Sequence, residues 1–119
     1  MPNRIYSKNK VEESVVDLAK KRLHKAFDMF DHIAVLFSGG KDSGATMNLA
    51  LEVAHERGEQ LPLDVIFFDE EAIPYQTEEY VRRVYNRDDV DLRWYCIPTV
   101  SNNACSLDSP HWYQWSEAS

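Results

Sequence analysis

The sequence predicts an α/β fold, a three-layer α/β/α arrangement whose parallel sheet is shortened to about three strands. Apolar runs at residues 33–37, 63–68 and 92–97 alternate with segments of helical periodicity, giving the order α-β-α-β-α-β. Each strand-to-strand link then contains a helix, which fits parallel strands joined by right-handed crossovers. A Gly-Gly turn lies between the first strand and the next helix, at the sheet end where open α/β folds place ligands. No internal repeat, low-complexity stretch or linker interrupts the chain. Residues 1–119 are therefore read as one domain: an N-terminal helix (10–30), a βαβαβ core (33–98), and a loop with an aromatic tail (99–119).

The elements follow in order. Val16, Ala19, Leu23, Ala26, Phe27 and Phe30 recur at spacings of three and four, so residues 10–30 predict a helix with one core-facing stripe and Asn9 as its N-cap. Glu12, Glu13 and Asp17 precede Lys20, Lys21, Arg22 and Lys25, the order the helix dipole favours. The basic group is read as a solvated face, the alternative being contact with an acidic partner or nucleic acid. Residues 33–37 predict a strand buried on both faces. From Ser43 to Arg57 a helix returns, with Asn48, Glu52, His55 and Glu56 on its polar side and Thr46, Met47, Leu49, Ala50, Val53 and Ala54 on a wide apolar one, closed by Gly58. LDVIFF, residues 63–68, is the second strand. Pro74 opens a helix carrying Thr77, Val81, Val84 and Tyr85, and LRWYCI, residues 92–97, is the third strand. Residues 99–119 mix Asn, Ser, Asp and Pro before HWYQW, whose aromatics are expected to dock on the core or a partner, with base stacking or ligand contact as the alternative.

Composition narrows the function classes. The chain has 119 residues, 44% of them hydrophobic, and a formal charge of −7, which disfavours broad attraction to nucleic-acid phosphates. No segment reaches the roughly 18 apolar residues of a membrane span, and the N-terminus lacks the apolar stretch of a signal peptide, so a cytoplasmic location is expected. Cys96 and Cys105 lack CxxC spacing and read as free thiols. His24, His32, His55 and His111 are scattered, without the grouping of a metal site.

The chemistry concentrates in FSGGKDS, Phe37 to Ser43. A glycine-rich turn between a strand and a helix gathers backbone N–H groups and the positive end of the helix dipole around one point, the physical basis of phosphate binding. It is not a Walker A loop: Val35 stands where the first glycine belongs, and Asp42 follows Lys41 where Ser or Thr is required. Nor is it the GxGxxG of dinucleotide binders.

SGGKDS resembles the signature of the PP-loop family, the adenine-nucleotide α-hydrolase-like ATP pyrophosphatases and their sulfonucleotide-reductase relatives, whose sheet is Rossmann-like. With VIFFDEEAIPYQT and WYCIPTVSNNACSLDSPHWYQW, the chain from about residue 15 to 116 is similar to the N-terminal half of phosphoadenosine phosphosulfate (PAPS) reductase-like proteins found with ParB-type nuclease partners in prophages and mobile elements. The resemblance implies that Ser38, Gly39, Gly40 and Ser43 wrap phosphates through N–H groups and hydroxyls. It implies that Lys41 supplies the neutralising charge and that Asp42 orders the loop and approaches Mg²⁺, making these two the candidate catalytic residues. Asp69, with backbone groups near Phe67 and Phe68, would contact ribose and adenine. Asp69, Glu70 and Glu71 together have two readings: ribose or metal ligands, with Asp69 the foremost contact, or acids favoured by the next helix's dipole. The implied cofactors are ATP or PAPS with Mg²⁺, and the implied partner is an adenine nucleotide. A second copy or another protein completing the sheet is a further expectation. The family's reductases use a C-terminal cysteine beside a basic segment. No such pattern surrounds Cys105, so the expected activity is ATP pyrophosphatase-like adenylylation or PAPS reductase-like chemistry, with a non-catalytic nucleotide-binding or interaction subunit of a mobile element as the alternative.

Overall fold

A computed structural model of the chain describes residues 13–117. Eight elements follow one another: α1 (Val15–Met29), β1 (Ala34–Leu36), α2 (Lys41–Arg57), β2 (Leu63–Phe68), α3 (Tyr75–Tyr85), β3 (Val90–Tyr95), β4 (Thr99–Asn102) and β5 (His111–Gln114). β1, β2 and β3 form one parallel sheet in that order, with Val35 paired to Val65 and Val65 to Leu92. The α/β class and the parallel sheet are as the sequence predicts.

The core forms on one face of this sheet. Val35, Val65, Phe67 and Leu92 point the same way and pack with Met47, Ala50 and Leu51 of α2 and Val81 and Val84 of α3 in a single buried cluster. Burying such a side chain stabilises by about 1.5–3 kcal/mol, so this cluster carries most of the fold. α2 is apolar around much of its circumference because it is sandwiched. Met47, Ala50, Leu51, Val53 and Ala54 are buried, while Thr46 and Leu49 line a groove shared with α1. α1 rides on α2 through ion pairs from Lys20 to Glu52 and Glu56 at 2.7 and 3.1 Å and from Arg57 to Asp28 at 2.7 Å. Lys20 of the basic run thus serves packing between helices.

Several expectations need correction. α1 starts at Val15 with Ser14 as its N-cap, the Ser14 hydroxyl accepting from the Asp17 N–H; Asn9 lies outside the described residues. β1 is buried on one face only, its pattern being exposed-buried-exposed, and Leu36, Phe68 and Tyr95 remain exposed on the other side of the sheet. The described helices of the core thus supply one of the two expected helical layers. β3 begins at Val90, two residues ahead of the apolar run that marked it. The loop-and-tail expectation for 99–119 gives way to an antiparallel hairpin, β4 with β5, in register Val100 with Tyr113. Thr, Val, Trp and Tyr suit a pleated strand, and the interruptions that read as loop close its turn: the Asn103 N–H donates to the Pro110 carbonyl at 2.8 Å, and the Asn103 side chain accepts from the Cys105 N–H. Gly58, by contrast, ends α2 in the left-handed conformation its residue type predicts, at φ 69°. No helix among the described residues is long and apolar enough to cross a membrane.

Candidate functional site

The phosphate-loop candidate rises from a buried anchor. Phe37 packs edge-on against Tyr80 at 5.5 Å and beside Phe67 at 6.4 Å, and its N–H continues the ladder to the Ile66 carbonyl at 2.9 Å. The chain then turns sharply. Gly39 has φ 81°, a backbone conformation that residues with a Cβ rarely adopt. Gly39 is also the loop's point of contact with α3: an added Cβ would lie 2.6 Å from Thr77 Cγ2. Gly40 is the N-cap of α2, and a Cβ there would meet nothing closer than the Ser38 hydroxyl at 3.5 Å. The two glycines therefore differ in role, Gly39 fitting the protein and Gly40 leaving the outer surface open.

The serines organise the loop from within. The Ser38 and Ser43 hydroxyls are 2.8 Å apart, Ser43 Oγ accepts from the Ser38 N–H at 3.2 Å, and it donates to the Gly40 carbonyl at 3.2 Å. These bonds fix the turn before any ligand arrives. The first hydrogen bond of α2 runs from the Gly44 N–H to the Gly40 carbonyl at 3.0 Å. The N–H groups of Lys41, Asp42 and Ser43 have no acceptor among the described residues, the usual condition of a helix start. Lys41 is exposed and has no carboxylate partner there, while Asp42 lies exposed in the same turn. Three donors without an acceptor among the described residues and the positive end of a helix dipole thus lie at one exposed helix start that also carries Lys41, an arrangement that attracts phosphate.

Asp69 leaves the neighbouring strand at the same carboxyl end, since β1 and β2 are paired. Its surroundings are already satisfied in part. One carboxylate oxygen accepts from Trp94 Nε1 at 2.9 Å and the other from the Glu71 N–H at 2.8 Å, while its own N–H donates to the Tyr95 carbonyl at 2.8 Å. Trp115 closes over it: the indole N–H donates to the Asp69 carbonyl at 2.6 Å and the Trp115 backbone N–H to the Glu71 carboxylate at 2.7 Å. Glu71 and Trp115 both hold positive φ, 67° and 51°, conformations that persist only where surrounding contacts fix them. Glu71 is thereby engaged within the protein, and Glu70 is exposed beside it. The Phe68 side chain is on the open face of the sheet, stacked on Tyr95 at 5.9 Å. Trp94, Trp115 and Tyr80 are supporting residues that sequence spacing did not single out individually, although Trp115 belongs to the conspicuous HWYQW run; Thr77 stands out in the sequence only as part of a helix stripe.

Other features sort quickly. A hollow of about 330 Å³ opens at the amino ends of the strands, lined by Asp31, Glu59, Asp64 and Asp91 among others; its acids make it unsuited to phosphate. Among the described residues no three His, Cys, Asp or Glu side chains group as a metal site. Asp42 is the acidic residue in the first turn of α2. Both cysteines are free. Desolvation, and secondarily the charge of Asp69, push the Cys96 thiol up, which keeps it protonated and a poor nucleophile at neutral pH.

Comparison with known proteins places these residues in context. The family model described as phosphoadenosine phosphosulfate reductase domain matches residues 32–117, from just before β1 to just past the Trp115 clasp. The chain is also 30% identical over 105 residues to the uncharacterized protein YbdN of Escherichia coli (strain K12), an alignment covering 86% of this chain and 25% of that protein. The chain thus spans about a quarter of the length of the curated relative it matches. No solved structure matches it. The residues matched by the family model take in the whole strand-loop-helix unit, α3 and the turn at Asp69, and the chain belongs to the phosphoadenosine phosphosulfate reductase domain family.

Proposed function

We propose that the chain binds an adenine nucleotide through Ser38–Ser43, with its phosphate or phosphosulfate group on the N-terminus of α2. The observation that carries this reading is that the N–H groups of Lys41, Asp42 and Ser43, at the exposed helix start that carries Lys41, have no acceptor among the described residues. Family membership supports a sulfonucleotide or ATP as the ligand class. In this reading Lys41 is a charge clamp, and Asp42 helps retain the Mg²⁺ that a nucleoside triphosphate brings. Asp69 shapes the turn beside the ribose and keeps accepting capacity for a hydroxyl.

The chemistry such a loop supports is adenylyl transfer. An acceptor oxygen attacks the α-phosphorus of ATP and pyrophosphate departs, with Lys41 and the loop N–H groups stabilising the negative charge that builds on it. Reductase chemistry of the cysteine type finds no support in Cys96, whose thiol is pushed up. A second reading, a nucleotide-binding subunit without turnover that works against another polypeptide, is favoured by the open sheet face bearing Leu36, Phe68 and Tyr95. Calorimetric titration with ATP·Mg²⁺ and separately with PAPS, repeated on Lys41→Ala, tests the shared claim. Saturable binding lost in the variant supports it, and equal binding by both proteins refutes it. Pyrophosphate release from ATP then separates the enzyme from the binding subunit.

A further inference from the structure

Gly44 is an unexpected residue for the first turn of a long helix, where glycine is less favourable than alanine by roughly 0.5–1 kcal/mol. It is buried, and its surroundings explain it. A Cβ built on Gly44 would lie 2.8 Å from the hydroxyl oxygen of Tyr80, below any real contact, but 3.6 Å from the ring atoms Cε1 and Cζ, an ordinary one. Only the hydroxyl excludes a side chain. Tyr80 itself is held by its neighbours. Its ring meets Phe37 edge-on at 5.5 Å, and the Arg83 guanidinium lies 5.8 Å from its centroid. One helical turn earlier, Thr77 meets Gly39 in the same way. α3 is therefore the floor on which both ends of the loop rest, Thr77 beneath the turn and Tyr80 beneath the start of α2.

Gly44 also makes the first hydrogen bond of α2, to the Gly40 carbonyl, immediately after the three free N–H groups. The depth at which Gly44 seats on Tyr80 consequently sets where those N–H groups point. We infer that Tyr80 is a positioning residue of the phosphate loop, acting through direct contact of its hydroxyl with Gly44, so that the loop's donors are aimed by α3. The inference rests on the loop being the nucleotide site. It adds a dependence of that site on a residue 36 positions beyond Gly44, on a different helix.

The test is a cycle of Gly44→Ala, Tyr80→Phe and the double variant. Two readouts are used: the Kd for ATP·Mg²⁺ and PAPS, and the ¹⁵N amide resonances of Lys41, Asp42 and Ser43 without ligand. Since sub-ångström placement governs such contacts, Gly44→Ala is expected to weaken binding by about tenfold or more and to shift the three resonances. Tyr80→Phe alone, which removes the hydroxyl that meets Gly44, is expected to shift the same three resonances and to weaken binding by about threefold or more. An unchanged Kd and spectrum in that variant overturns the inference. The double variant is expected to recover from the Gly44→Ala level to the Tyr80→Phe level, because phenylalanine leaves only the 3.6 Å contacts. A role in stability alone would change the melting temperature and leave the Kd of the folded protein unchanged, overturning the inference. Equal loss in Gly44→Ala and the double variant also overturns it. If Gly44→Ala does not fold, recovery of folding, Kd and resonances in the double variant supports the inference, and failure to recover them overturns it. If the unaltered protein binds neither nucleotide, the functional reading fails, and the resonances alone decide whether Tyr80 aims the loop.

Discussion

Two turns of the same topology stand side by side at the carboxyl end of the sheet. The turn from β1 into α2 carries glycine, serine and lysine, its serines bond to each other, and its leading N–H groups have no partner among the described residues. The turn from β2 into α3 carries Asp69, Glu70 and Glu71, and it is filled from inside. Trp94 and the Glu71 N–H occupy the Asp69 carboxylate, and Trp115 caps the Asp69 carbonyl and Glu71. A parallel βα turn supplies the location for a ligand, and the side chains decide whether it is left open. Here one turn leaves its leading N–H groups without acceptors among the described residues, and the other anchors the β4–β5 hairpin beside it.

The largest expected effect breaks the open turn itself. Gly39→Ala puts a Cβ at φ 81° and 2.6 Å from Thr77. Nucleotide binding is expected to vanish and stability to fall by about 1–3 kcal/mol, read by calorimetry and urea unfolding; near-normal binding would show that the loop's shape is not what holds the ligand. Lys41→Ala comes next. Loss of one charge-assisted contact is expected to weaken binding by about 10- to 100-fold without moving the thermal midpoint, because Lys41 is exposed and unpartnered.

The filled turn should respond in the opposite sense. Asp69→Ala leaves the Trp94 indole and the Glu71 N–H without acceptors, and a stability loss of about 1–3 kcal/mol is expected, with a smaller change in nucleotide affinity than Lys41→Ala produces. An affinity loss as large as that of Lys41→Ala would make Asp69 a principal ligand and dissolve the contrast. Trp115→Phe removes the bond to the Asp69 carbonyl, about 1 kcal/mol, and should speed amide exchange in β4 and β5 while sparing β1 to β3.

The smallest effect lies away from both turns. Arg87 holds the Asp89 carboxyl below its ordinary range through their hydrogen bond. A depressed carboxyl stabilises the fold above its unfolded value, and that contribution disappears as pH falls through the folded one. Acid titration of stability should therefore flatten slightly in Arg87→Ala, by up to about 1 kcal/mol for so exposed a pair.

Much of this was legible in the sequence, for identifiable reasons. The alternation of Ile33–Phe37, the helix to Gly58 and LDVIFF is written in local periodicity, and local periodicity is what parallel βαβ units are made from. The glycine turn was legible because its conformation depends on adjacent residues, with Gly39 at positive φ and Gly40 capping α2. What escaped depends on partners distant in sequence. Asp69 meets Trp94 and Trp115 across 25 and 46 positions, and no spacing rule signals such pairs. The hairpin escaped because Asn and Ser carry the same turn signal whether they end a strand or close a hairpin. The bare outer face of the sheet escaped because apolar runs such as VIFF are read as buried on both sides.

The central claim, that the free N–H groups at the start of α2 receive a nucleotide's phosphates, is tested most directly by following ¹⁵N amide resonances while PAPS, and then ATP·Mg²⁺, is titrated into the labelled chain. The expected result is a saturable shift larger at Gly40, Lys41, Asp42 and Ser43 than anywhere else, and absent in Lys41→Ala. Shifts centred on Asp69 to Glu71, or no saturable shift with either nucleotide, would contradict it.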